Sequence, residues 1–237
     1  MSALTGFRIS PQQARAWRDA RHNAADSAGN CLVVEVAQAP SAAEIDARLQ
    51  AMAEREEILR TVLQAVPGMA LPIQVIEEQP RVTFAAEDWR DTDATQRAAC
   101  LSKSTLQAGS VLSVRYVRIE DERWWLCLEG AASALDLSSL ALITSELLGT
   151  AQTERLQYVD YAEWKNGLLE DEAGGQAVRF WQQMRTESAP LELHGLQTAS
   201  NGQACQPALH TLAGLPAHAE LQALASRAAL SLDELLF

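Results

Sequence analysis

The chain has 237 residues, 48% of them hydrophobic, enough for one substantial core or two small lobes. Its 31 acidic against 19 basic residues give a net charge of −12, which repels phosphate backbones and anionic headgroups, so neither nucleic acid nor a membrane surface is an expected partner. Cys31, Cys100, Cys127 and Cys205 are scattered, without a CxxC pair or a histidine at ligand spacing. That argues against zinc and against a disulfide framework, and suits a reducing cytosol. The N-terminus carries charge and turn residues where a signal peptide needs an apolar run, and no stretch approaches the ~20 apolar residues of a membrane span. A cytoplasmic location is expected.

Helix and strand signals alternate as in a mixed α/β protein. Ser10 and Pro11 open a helix, serine as N-cap and proline at the first helical position, which runs past Trp17 to about Arg21. Residues 31–37 (CLVVEVA) are β-branched and apolar, predicting a buried strand. Ser41 with Glu44 forms a capping box ahead of a long helix whose apolar positions are Ile45, Leu49 and Met52. A second helical run is expected from Glu57 to Gln64. Pro72 to Ile76 reads as a short edge strand and Val82 to Ala85 as another strand. A helix follows from Asp91 to Leu106, with Thr92 or Asp93 as its cap.

The clearest hairpin pairs Val111–Ile119 with Arg123–Leu128 across a turn at Glu120–Glu122, with a period near two. Trp124 and Trp125 therefore point to opposite faces, one into the core and one under a helix. Asp136 to Leu148 returns to helix, with Gly149 as its C′ residue. Two further helices are expected at Tyr158–Leu169 and Gly175–Arg185, separated by Gly174-Gly175, with Tyr161, Trp164, Phe180 and Trp181 as helix-packing residues. Residues 186–206 are rich in Ser, Pro, Gly, Asn and Gln and read as a connector. A strand at Ala208–Leu212 and a helix at Ala217–Ala228 follow. The expected organisation is a lobe over 1–185, a connector over 186–206, and the start of a truncated second lobe over 207–237.

Several segments, taken in order, resemble the signature motifs of condensation domains from nonribosomal peptide synthetases. They are Ile9-Ser10-Pro11-Gln12-Gln13 with Trp17; Arg55-Glu56-Glu57-Ile58-Leu59-Arg60-Thr61, similar to RHExLRT with Glu56 where histidine is usual; and Leu71 to Ile76. Asp88 to Asp91, Leu106 to Leu112, and Tyr158-Val159-Asp160-Tyr161-Ala162-Glu163-Trp164 (similar to QYxDYAxW) with Phe180-Trp181 complete the series. The resemblance covers residues 9 to about 185. It implies one lobe of a chloramphenicol-acetyltransferase-like fold, two α/β lobes with a tunnel that carrier proteins approach from opposite ends.

In active members the hairpin leads into HHxxxDG, whose second histidine lies beside the attacking amine, where an imidazole of near-neutral pKa suits the task. Here the motif falls on Ala131-Ala132-Ser133-Ala134-Leu135-Asp136-Leu137, so Ala131 and Ala132 stand at the histidine positions. Alanine can neither accept a proton nor hydrogen-bond an amine, and Leu137 narrows the space that glycine leaves. His22, His194, His210 and His218 lie elsewhere in the chain. The resemblance also implies that Asp136 pairs with Arg60 and ties the loop to a helix; the competing reading is an N-cap, and the pair is favoured. The related heterocyclisation pattern DxxxxDxxS keeps Asp136 and Ser139 but has Ala131 for its first aspartate. Glu129 is the nearest acid that could substitute. Ser138 and Ser139 lack a His/Asp relay, which argues against a hydrolase nucleophile.

The expectation is a catalytically degenerate condensation domain, a structural or recruitment platform for adenylation and carrier domains or for a tailoring enzyme. No cofactor or metal would be bound directly, and a partner's phosphopantetheine arm would be the ligand. The alternatives are an acyltransferase working through Glu129, Ser133 or a missing second lobe, and a free-standing half-domain that acts as an interaction module.

Overall fold

The structure, a computed structural model, describes residues 6–22, 29–37, 40–150, 156–187 and 218–236. The chain divides into two compact units, Met1–Gly202 and Gln203–Phe237.

The first unit is built on the hairpin of β6 (Leu112–Glu120) and β7 (Arg123–Gly130). β2 (Asn30–Ala37) adds antiparallel to β7, and β5 (Val82–Asp88) adds parallel to β6, giving a four-stranded sheet in the order β2-β7-β6-β5. The period of two sorts the side chains between its faces. Leu112, Val114, Tyr116, Leu126 and Leu128 pack against α2 (Ala42–Arg55) and α4 (Leu137–Leu147), which contribute Ile45, Leu49, Met52, Leu140, Ile143 and Leu147. Each such side chain is worth roughly 1.5–3 kcal/mol when fully buried, so this layer anchors the unit. Trp124 joins it by stacking on Tyr116 at 4.7 Å, and the Tyr116 hydroxyl donates to the Pro40 carbonyl at 2.9 Å. On the opposite face Val117, Ile119 and Cys127 gather with Trp89, Trp125 and the Cys100–Leu101 end of α3 (Ala94–Leu101). The two tryptophans thus divide as the alternation requires.

A smaller antiparallel sheet orders β1 (Phe7–Arg8), β4 (Ile73–Ile76) and β3 (Thr61–Gln64) as β1-β4-β3. Helix starts are fixed by side chains. Ser10 and Gln13 exchange bonds of 3.1 and 2.9 Å at the head of α1 (Pro11–His22), and Ser41–Glu44 and Asp93–Gln96 form capping boxes on α2 and α3. Gly149, at φ +107°, follows α4 in a conformation that other residues adopt at a cost.

Six expectations are corrected. The second helical run is a single 3-10 turn, Glu57–Arg60, after which the β-branched Thr61 and Val62 enter β3. Glu56, at φ −91° and ψ 109°, breaks the helix before it. β4 is the central strand of its sheet rather than an edge, because Pro72 precedes the strand and every strand residue keeps its N–H. β2 is an edge strand with alternate residues outward, Val33 being 43% exposed. α3 is shorter than expected, ending at Leu101. The break between the last two helices of this unit falls at Asp171, between α5 (Tyr158–Glu170) and α6 (Glu172–Glu187); Asp171 Oδ1 accepts from Gly174 N at 2.7 Å, drawing both glycines into α6. Trp164, Phe180 and Trp181 are 59%, 55% and 68% exposed, so they are surface residues and not helix packing.

The second unit contains α7 (His218–Ala228) and α8 (Leu232–Leu236). Ala229, at φ 56°, turns the chain, and Ser231 with Glu234 caps α8. The expected strand at 208–212 and most of the connector at 186–206 lie outside the described residues.

Candidate functional site

β7 ends at Gly130 and the chain reaches α4 through residues 131–136. A Cβ on Gly130 would come within 2.8 Å of the Leu135 Cβ, so only glycine lets the loop fold back this closely. Ala131 N donates to the Val111 carbonyl, and Ala134 N and Leu135 N to the Ala131 carbonyl, each at 2.9 Å. Asn30 Nδ2 donates to the Leu135 carbonyl at 2.8 Å, tying the loop to β2.

This loop divides two cavities. The larger, about 730 Å³, is walled by Ala132, Asp136 and Ser139 of the loop and α4, with residues of α1, α2 and α5. The smaller, about 200 Å³, is walled by Ala131, by β3 and by Gly109–Val111. Gln13, Ile58, Ser133 and Ala134 line both and form the partition. The two alanines at the expected histidine positions thus face one cavity each.

Gln13 and Tyr158, which line the larger cavity, belong to a chain of hydrogen bonds behind its wall, buried at Ser10, Gln13 and Gln74. Tyr158 of α5 bonds its hydroxyl to Ser10 Oγ at 2.8 Å; Gln13 Oε1 accepts from Ser10 N; Gln13 Nε2 donates to Gln74 Oε1 at 2.9 Å; and Gln74 Nε2 donates to the Arg8 carbonyl at 2.8 Å. Burial pushes the Tyr158 phenol up, against the opposing pull of Ser10. Three carboxylates, Glu56, Glu146 and Asp136, line the larger cavity, and no Lys, Arg or His does so among the described residues. Arg55 bridges Glu56 at 2.9 Å and Glu146 at 2.5 Å. Gln157 fixes that corner by accepting from Glu57 N and donating to the Arg55 carbonyl.

The sequence-predicted residues separate into two groups. Ala131, Ala132, Ser133, Asp136 and Ser139 come together at the cavities. Arg60 and Glu129 line neither. The expected Arg60–Asp136 ion pair is not formed: Asp136 Oδ1 accepts from Ser139 N and Ser139 Oγ, both at 2.7 Å, as the N-cap of α4. Those two bonds, the hydroxyl foremost, hold its carboxyl below the usual range. Arg60 instead donates from Nη1 to the Glu77 carbonyl at 2.9 Å, and its buried Nε has no partner. Glu129, on the α3 face of the sheet, accepts from Ser104 Oγ, Thr105 N, Thr105 Oγ1 and Leu106 N. Burial pushes its carboxyl up, but those donors outweigh it and hold the group ionised. It is a strut for the 104–106 segment, not a base for the cavity.

Sequence reasoning did not single out Gln13 or Tyr158 as cavity residues. The signal for Gln13 was present, since a glutamine three residues after a helix-opening serine is the second half of a capping box. Of the histidines, His194 and His210 lie outside the described residues and His218 belongs to the second unit. Among the described residues no three His, Cys, Asp or Glu side chains group as metal ligands, and no helix is long and apolar enough to cross a membrane.

A mixed sheet backed by two helices, with a cavity-dividing loop running from its hairpin to the second of them, defines a lobe of the chloramphenicol-acetyltransferase-like fold. The chain belongs to the condensation-domain family, whose profile matches residues 7–236. It is 28% identical over 214 residues to the AMB antimetabolite synthetase AmbE of Pseudomonas aeruginosa, a match spanning 81% of this chain and 10% of AmbE. To tyrocidine synthase 2 of Brevibacillus parabrevis it is 30% identical over 141 residues, 56% of this chain and 4% of that protein. Among solved structures, the condensation domain for chain release from the enacyloxin polyketide synthase superimposes with a TM-score of 0.65 at 21% identity, covering 98% of this chain and 50% of the other. The condensation domain of the Monacolin K polyketide synthase MokA gives 0.63 at 17% identity, covering 82% of this chain and 45% of that one. The chain therefore spans about half of these solved domains and a small share of the synthetases.

Proposed function

We propose that this is a condensation domain of a peptide synthetase that has lost bond formation and serves as a structural or recruitment platform. Its partners in this reading are adenylation and carrier domains, a carrier's phosphopantetheine arm, and a tailoring enzyme acting on carrier-bound substrate, in the cytoplasm. The observation that supports the reading is the pair Ala131 and Ala132, methyl groups on the two cavity walls at the positions where the motif resemblance puts the family's histidines. Among the described residues the neighbouring charged groups are engaged otherwise: Asp136 is a cap, Glu129 is turned to the other face of the sheet, and Arg55 bridges Glu56 and Glu146. An acyltransferase working through Glu129 is disfavoured on the same grounds.

The test loads donor and acceptor carriers and adds the domain in its parent protein. No dipeptide is expected. Dipeptide formed above the no-domain background overturns the proposal, and the Ala131→His/Ala132→His double variant reports whether the cavity still supports the chemistry. If a tailoring enzyme is recruited, its retention by the immobilised domain depends on folded surface and survives that double substitution.

A further inference from the structure

We draw no further inference here: the strongest candidate, the exposed apolar surface patch of α5 and α6 that bears Trp164, Phe180 and Trp181, supports no proposal because nothing in the structure shows what covers it.

Discussion

Replacing Asp136 separates two physical roles that differ severalfold in energy. As the N-cap of α4 its carboxylate serves one backbone N–H and one hydroxyl of Ser139. Removing such a cap costs about 1 kcal/mol. Breaking a buried pair with Arg60 would cost about 3–5 kcal/mol, because the guanidinium would be stranded. Asp136→Ala is therefore expected to lower stability by about 1 kcal/mol, a fall in Tm of roughly 2–4 °C for a chain of this size. Urea unfolding of Asp136→Ala, Arg60→Gln and the double variant gives the coupling, expected near zero. The pH dependence follows from the lowered carboxyl. A folded-state pKa below the unfolded value near 3.9 means that the contribution is present above the unfolded value and is lost as pH falls through the folded one. Asp136→Asn, which caps without titrating, lacks that acid loss. A cost of about 3 kcal/mol or more, or a coupling above about 1 kcal/mol, would refute the assignment of Asp136 as a cap.

Glu129→Ala is expected to cost about 2–3 kcal/mol in chemical denaturation, since it strands the donors of Ser104, Thr105 and Leu106. The Glu129 contribution is held above its unfolded pKa near 4.3 and is lost as acid approaches the lowered folded value, visible as a steeper acid limb than in the alanine variant. Burial pushes the Cys127 thiol up to about 11 and raises the Cys31 thiol too, but Cys31 is exposed and Cys127 buried, so iodoacetamide at mildly alkaline pH should modify Cys31 before Cys127, which reacts only after unfolding, as followed by peptide mass spectrometry. Tyr116→Phe removes the bond to the Pro40 carbonyl and keeps the stack on Trp124, and is expected to cost about 1 kcal/mol in the same denaturation assay.

The parts of the fold that were legible are those fixed by local chemistry. The hairpin from Leu112 to Gly130 announces itself by alternation, and α2 by the Ser41–Glu44 box and the 3.6-residue spacing of Ile45, Leu49 and Met52. The misreadings fall where tertiary pairing overrides local preference. Thr61–Gln64 follows a helix without punctuation, yet pairs with Ile73–Ile76, a partner that the local sequence does not disclose. CLVVEVA carries the composition of a buried strand, and its edge position depends on which strands flank it. At the site, the loop itself was legible, since Ala131, Ala132, Ser133, Asp136 and Ser139 do come together at the cavities. The role of Asp136 was not, because a carboxylate ahead of a helix suits both a cap and an ion pair, and only the direction of the Arg60 side chain decides between them. Gln13 reaches the cavities through its long-range contact with Gln74, to which helix periodicity is blind.

The geometry of residues 130–136 gives a physical reason why side chains can vary at 131 and 132 without loss of the loop. Every bond that shapes the segment originates elsewhere: the backbone of Ala131, Ala134 and Leu135, the missing Cβ of Gly130, the Asn30 amide on the Leu135 carbonyl, and the Asp136 cap. Leu135 supplies the apolar anchor, packed into the main core beside Leu140. The Cβ atoms at 131 and 132 meet open cavity, so a side chain there contributes chemistry to the cavity and little to the fold. A side chain at Gly130 would instead collide with Leu135 and Leu140, truncation at Leu135 would leave a cavity in the core, and substitution at Asp136 would fray α4. Fold stability thus constrains positions 130, 135 and 136 while leaving 131 and 132 to the demands of the ligand alone.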